Sequence, residues 1–551
     1  MVATGVALGL TVLTLATFTG VGLWFSRGRV GSVEDLLTAR NSAGEGQMTA
    51  TLIASVMGVW ILLAAPEAGA GFGIAAVLGY AVGEAAPMLA YARLGPRIRR
   101  LIPEGHSLTE YAHARYGDAM YAFVLGVSGL YMFVFLAAEL TGISGALALV
   151  AGVPQWQTAV LVGGFVLVYT SYGGLRASIV TDTVQALVVL PLLVVAFGAI
   201  VLALGGAGGV YEGIVDADPT LLDPGFWPGL QFGLALAFAI LGAELVNQTW
   251  WQRIYAGADD ATVRRSFRNA TVANGLVVLL AALFGLVAVG HADVVTDVAS
   301  AEYNADVAFF LLLQGAFPEW VVLAVVLLAL FLVTSSVDTL FNALASLVTA
   351  DLPRLLDEPR DRTLAFAARG LTVLVALAAI YVSLRARSVL RLFFLADLLG
   401  AAVAVPLLAG LCSERLTGPG ALASSLLGLA VGLAYFPDLR GYITAVPVVG
   451  DALPAADPLY LTAFGGAFLT ATAATLVASR LSAPTFDHDR LAAEIRRLDR
   501  GAPDAAADGG RRRAAPGGAG RRSAPPGSDS DTRAPGDEDE AARGDHREGA
   551  D

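Results

Sequence analysis

The stretch TLIASVMGVWILLAAPEAGAGFG, residues 51–73, is apolar and long enough to cross a bilayer, which takes about 20 residues in a helix. It is also built to break. Gly58 stands near its middle, and Pro66, Glu67 and three more glycines follow. Glycine adds backbone freedom and proline removes a donor. Inside a membrane, freed backbone groups must be satisfied by protein, water or an ion. An unwound span therefore offers carbonyl oxygens to a cation or a solute. The alternative is an ordinary helix whose glycines let a neighbour pack closely.

Long uncharged runs like this one recur along most of the chain. Of 551 residues, 56% are hydrophobic and 15% charged, and mean hydropathy is +0.66. A soluble domain carries roughly 25% charged residues. The chain is thus an all-α polytopic membrane protein. Its first run, Val2–Trp24, lacks a basic leader and an Ala-x-Ala cleavage site, so it reads as a span and not a signal peptide. A single cysteine, Cys412, excludes an internal disulfide and a cysteine metal cluster. The five histidines are scattered without ligand spacing, which argues against a metal enzyme. Net charge is -12 and every basic side chain is arginine, which bears on surface properties and not on mechanism.

About 13 transmembrane helices are expected on a window of about 19 residues. They lie near 2–24, 50–71, 72–94, 120–145, 157–178, 183–204, 229–249, 270–291, 319–346, 366–384, 388–412, 419–436 and 458–480. Segments Arg93–Arg115, Arg253–Arg268 and Arg354–Arg369 are arginine-rich and fall on one side of that count. Gly206–Pro228, Ala292–Glu319 and Pro437–Pro458 are acidic or neutral and fall on the other. The positive-inside rule puts the first group in the cytoplasm, the N-terminus outside and the C-terminus inside a cell membrane. Arg385 and Arg387 run against this pattern. A membrane domain over 1–481 is then followed by a cytoplasmic tail, 482–551, whose Ala, Gly, Pro and charged residues cannot offset chain entropy, so disorder is expected there. Within it, 488–500 has the makings of a short surface helix.

Three stretches carry the chemistry. YTSYGGLRASIVTDTVQ, 169–185, is expected to turn at Gly173-Gly174, with Thr181 and Asp182 capping the next helix. NQTWWQRIYAG, 247–257, closes the seventh span, and VTSSVDTLFNALASLVTAD, 333–351, lies in the ninth. Without more, the hydroxyls of the last would simply bond back to their own helix. Together the three resemble the sodium:solute symporter family, in its GG-x(7)-D-x-x-Q turn, its Gln-Arg loop and its S-[ST]-x-D-[ST] span. SVEDLLTARNSAG before the second span and PEGHSLTEYAHARYG after the third also fit, and the resemblance covers roughly residues 1–480.

That resemblance implies a LeuT-like inverted-repeat core, spans two to six against spans seven to eleven, with spans two and seven as paired broken helices. It implies a sodium site from the carbonyls of Ala54, Met57 and Leu332 and the hydroxyls of Ser335 and Ser336. Asp182 matches an acidic residue on the sodium path, and Asp338, one turn beyond Ser335, is placed to orient the site or to make a structural bond. Neutral oxygens suit a hard cation that must bind reversibly. Val56 stands where proline-type members carry an acidic residue, while Glu139 and the RASIVTD form of the turn resemble the urea-type branch. Carboxylates at Glu67, Glu84, Glu139 and Glu244 lie in or beside spans, where an ionisable group costs at least about 2.5 kcal/mol and is by default functional. Trp60, Glu139 and Glu244 are the candidate solute contacts.

The resulting expectation is a sodium-coupled symporter importing a small polar organic solute, an amino acid such as proline or a urea-like amide, with Na⁺ as its coupling ion. Its partners are the solute and the bilayer, with neither nucleic acid nor an obligatory protein partner. A transporter-like solute sensor is the alternative, and an enzyme lacks any nucleophile–base or metal-ligand constellation.

Overall fold

A bilayer core offers backbone groups no water, so a chain this apolar folds into helices that satisfy themselves. The computed structural model shows that outcome and describes residues 3–26, 38–355, 361–386 and 388–495. The chain divides into units 1–501 and 502–551, and every described residue belongs to the first. Among the described residues nine helices are long and apolar enough to cross a membrane; shorter apolar stretches lie at Thr4–Gly20, Gln155–Val168, Ala305–Ala316 and Val373–Ser383.

Helix α1 (Thr4–Ser26) leads to α2 (Glu45–Val56), which ends at Met57-Gly58 inside the bundle. A 3₁₀ turn (Val59–Leu62) and α3 (Ala64–Leu101) continue the chain. Within α3 the backbone leaves helical geometry at Gly73, φ 69°, a conformation that glycine adopts without a Cβ clash. The expected second and third spans are divided there. Helices α4 (Leu108–Tyr116), α5 (Asp118–Ala151) and α6 (Gln155–Ala203) follow. Here the structure differs from the sequence reading. The backbone runs as helix through Gly173-Gly174, so no hairpin turn forms and Thr181 and Asp182 lie inside a helix instead of capping one. In place of a cap, the Asp182 side chain leaves sideways to neighbouring helices, as described below.

After α7 (Gly206–Ala217), the seventh span is α8 (Trp227–Leu245), broken at Val246-Asn247 before α9 (Gln248–Ala256). Then come α10 (Asp260–His291), α11 (Ala308–Ala316), α12 (Glu319–Leu355), α13 (Asp361–Ser383) and α14 (Val389–Ala409). The last elements are α15 (Gly418–Tyr435), α16 (Pro437–Thr444), α17 (Pro447–Ala452), α18 (Leu459–Leu481) and α19 (Asp489–Glu494).

Glycines set the closest crossings. A Cβ at Gly79 would strike the Gly233 backbone, so α3 and α8 touch main chain to main chain. A Cβ at Gly242 would strike Ala401, and one at Gly400 would strike Ala243, so α8 and α14 do the same. Small residues allow such approach in lipid, where dispersion packing replaces the hydrophobic drive. Helices α3, α8 and α14 are thereby gathered around one point, each bringing an acidic residue.

Contacts also sort the loops into two ends. At one, Arg99 donates to Asp260 (3.0 Å) and to the carbonyls of Ile254 (2.9 Å) and Gly257 (2.8 Å), while Ala43 pairs with Ala256 and Ala258 through main-chain bonds. Two arginine-rich segments, 93–115 and 253–268, therefore share an end. Residues 482–495 join them: the Arg115 guanidinium lies 4.3 Å over the Phe486 ring, and Leu491 is buried. Within the expected tail, Asp489–Glu494 forms a short helix; 496–551 lies outside the described residues. At the opposite end, Tyr303 reaches Glu67, and Gly213 packs on Gly290.

A cavity beside two broken helices

Each break leaves backbone groups without helical partners, and side chains from other helices take them up. At the first, Glu139 Oε2 on α5 accepts from the Val59 N–H (2.9 Å), and Trp60 Nε1 folds back onto the Val56 carbonyl (2.9 Å). Gly58 is required here because a Cβ would overlap the Glu139 carboxylate. At the second, Tyr91 OH donates to the Leu245 carbonyl (2.8 Å) and the Asn247 side chain caps Thr249 N (2.9 Å). Glu139 was expected to touch solute. The structure makes it the clamp of the first break, outside the cavity wall.

Ser336 on α12 faces that break. Its hydroxyl lies 3.4 Å from the Met57 carbonyl and 3.3 Å from that of Leu332, both long for an O–H donor. Ala54 O belongs to the same turn, accepting from Met57 N (3.1 Å). Carbonyls of α2 and α12 with a hydroxyl between them are the donor set a hard, weakly held cation takes. The hydroxyl of Ser335 turns instead to Asp182 Oδ1. Asp338 Oδ1 accepts from Asn342 Nδ2 one turn on (2.9 Å), within its own helix.

Asp182 is the hub of a second cluster. Besides Ser335, it accepts from Thr51 on α2 and from Arg253 Nη2 on α9 (3.3 Å). Arg253 Nη2 also donates to Ser55 (3.0 Å) and Thr339 (3.0 Å). Both charged side chains are wholly buried, so one ion pair with hydroxyl partners ties α2, α6, α9 and α12 together.

The cavity itself is walled by pairs four residues apart, which share a helix face. Tyr80 and Glu84 come from α3, Tyr131 and Phe135 from α5, Ile240 and Glu244 from α8, and Phe393 and Asp397 from α14. Trp60 completes the wall and stacks on Tyr80 with ring centroids 5.8 Å apart. Of the expected solute contacts, Trp60 and Glu244 are therefore here. Glu244 is already committed, since Tyr131 OH (2.6 Å), Trp250 Nε1 (2.6 Å) and Asn247 Nδ2 (3.1 Å) all donate to it. Its partners are a phenol, an indole and a side-chain amide.

Asp397 and Arg253 went unremarked in the sequence as site residues. The rule that singled out Glu84 would have found both, since each is an ionisable side chain in an apolar or buried helix. Glu67 lies apart from the cavity wall, bonded to Tyr303 and to the Ser388 hydroxyl (3.1 Å), which itself caps α14.

Comparison with known proteins matches residues 37–428 to the sodium:solute symporter family. A spermidine transporter of Candida albicans is 25% identical over 441 residues, covering 78% of this chain and 80% of that protein. A probable urea active transporter of Schizosaccharomyces pombe is 23% identical over 298 residues, 52% of this chain and 45% of that protein. Among solved structures, a Na⁺-coupled sialic acid symporter in a substrate-bound outward-open state superposes with a TM-score of 0.68 at 17% identity, covering 87% of this chain and 98% of that one. That likeness fixes the fold, the LeuT-like arrangement the sequence implied.

Proposed function

The chain belongs to the sodium:solute symporter family, and from that premise we propose that it uses inward sodium flow to import a small nitrogen-rich organic solute. It is a multi-pass membrane transporter that couples solute movement to a cation and forms no covalent intermediate. One observation carries the choice of sodium: the Ser336 hydroxyl sits between the Met57 carbonyl at the break of α2 and the Leu332 carbonyl of α12. A Na⁺ held there by Ala54, Met57, Leu332 and Ser336, with Ser335 joining once its hydroxyl leaves Asp182, bridges two helices of opposite repeats. It favours the conformation in which they are close and shapes the adjoining cavity for solute. Asp182 lies next to Ser335 and gives the ion a polar path out.

The names of the relatives, spermidine and urea transporters, support nitrogen-rich cargo. The arginine-rich end formed by 93–115 and 253–268 supports a cytoplasmic placement for that face in the cell membrane. At about 100 mV each positive charge carried in supplies roughly 2.3 kcal/mol, enough for roughly 50-fold accumulation. Uptake into proteoliposomes, compared between inward sodium and inward choline gradients, tests the reading. Sodium-driven uptake is expected; uptake indifferent to sodium but driven by a proton gradient would replace the ion, and binding without transport would favour a sensor.

A further inference from the structure

Two of the three carboxylates on the cavity wall have no partner among the described residues. Glu84 is 4% exposed and Asp397 6% exposed, and among the described residues neither receives a hydrogen bond or meets a basic side chain. Glu244 differs, with three donors of its own. An acidic side chain left without a partner at membrane depth is costly to ionise and persists where function uses it. No group of three or more acidic, histidine or cysteine side chains among the described residues is placed to hold one metal ion. Between Glu84 and Asp397 the wall is aromatic: Trp60 stacked on Tyr80, and Phe135 edge-on to Phe393 at 4.8 Å. Ring faces attract ammonium groups and also cover methylenes.

We propose that the cavity takes an organic dication, a short diamine or polyamine, with one ammonium at Glu84, a second at Asp397 and the carbon chain along Trp60, Tyr80 and Phe393. This rests on the symporter reading above and names its solute class. Urea brings no charge to either carboxylate. An amino acid brings one ammonium and adds a carboxylate to a wall that already has three. A monoamine leaves one station unpaired. The Glu84 and Asp397 side chains are the specificity determinants, and Glu244 only keeps the wall in shape.

The test uses the full chain in proteoliposomes with an inward sodium gradient and labelled 1,4-diaminobutane, with butylamine, urea and proline as competitors. Sodium-driven diamine uptake is expected, resisting butylamine, urea and proline at concentrations at least about tenfold above the diamine. Glu84→Gln and Asp397→Asn should each raise the diamine half-saturation concentration at least about tenfold while leaving that for sodium unchanged. Because either variant could fold poorly, thermal stabilisation of the wild-type protein by 1,4-diaminobutane is measured alongside and should exceed that by butylamine. Sodium-driven uptake of urea or proline that the diamine fails to inhibit overturns the solute class and leaves the symporter standing. Absence of sodium-driven uptake of every probe by folded protein overturns both.

Discussion

Two acidic clusters lie inside this bundle, and they are finished differently. Around Asp182 the protein supplies everything: a buried guanidinium from Arg253 and the hydroxyls of Thr51 and Ser335. Around Glu84 and Asp397 it supplies aromatic walls and, among the described residues, no counter-charge. A closed cluster behaves as a strut that also borders the sodium site. An open one is an invitation to a cation from outside. The contrast separates what holds helices together from what selects cargo, although burial alone makes the two clusters look alike.

Opening the closed cluster should have the largest effect. Arg253→Gln leaves Asp182 without its counter-charge, and removing one partner of a buried pair costs about 3–5 kcal/mol. A large fall in Tm and loss of uptake are expected, with much of the Tm restored in the double variant Arg253→Gln/Asp182→Asn, which buries no lone charge. A single variant as stable as wild type would mean that the pair does not brace the bundle.

Next in size is the proposed sodium cradle at the first break. Ser336→Ala removes the one hydroxyl that faces both the Met57 and Leu332 carbonyls, and the sodium concentration for half-maximal uptake should rise about tenfold, or roughly 1.4 kcal/mol. Unchanged sodium dependence would place the ion elsewhere. Glu244→Gln probes the carboxylate that stands on the open cavity yet is internally satisfied. An amide presents an N–H₂ to Trp250 or Asn247, both donors, so the variant should lose stability and turnover while the solute half-saturation concentration moves less than about threefold. A large, selective rise in that concentration would return Glu244 to the solute.

The smallest effect is expected far from both clusters. Asp259 caps α10 by accepting from Thr262 N (2.7 Å), and that bond holds its carboxyl below the ordinary carboxylate range. A depressed value stabilises the fold above that range, and the contribution fades as pH falls through the folded-state value. Asp259→Ala should therefore lower Tm slightly at neutral pH, the difference vanishing on acidification, with transport unaltered.

Much of this was readable before any coordinates. Gly58 near the middle of 51–73 left a break as one of two readings, and the resemblance paired it with a break in the seventh span, which falls at Val246-Asn247. Ser336 was named for its motif and does face Met57. What stayed hidden depended on contacts between distant segments. Asp397 looked like one charge in an apolar span until Gly242 and Gly400 brought α14 onto α8. The sequence offered a usable sign in Tyr80-x-x-x-Glu84 and Phe393-x-x-x-Asp397, an aromatic one turn before a carboxylate. Glu139 binds the severed helix end at Val59, a placement that burial depth alone does not reveal. Gly173-Gly174 misled because a glycine pair permits a turn without requiring one, and lipid favours keeping the helix bonded.

The difference between the clusters is tested most directly by the thermal unfolding of Glu84→Gln/Asp397→Asn, measured with and without 1,4-diaminobutane. If the open cluster holds acids that only cargo pairs, the unliganded double variant unfolds at a temperature no lower than wild type, because two buried acids without partners are gone, and the diamine no longer raises its Tm. A double variant that is less stable than wild type and still gains stability from the diamine would contradict the account.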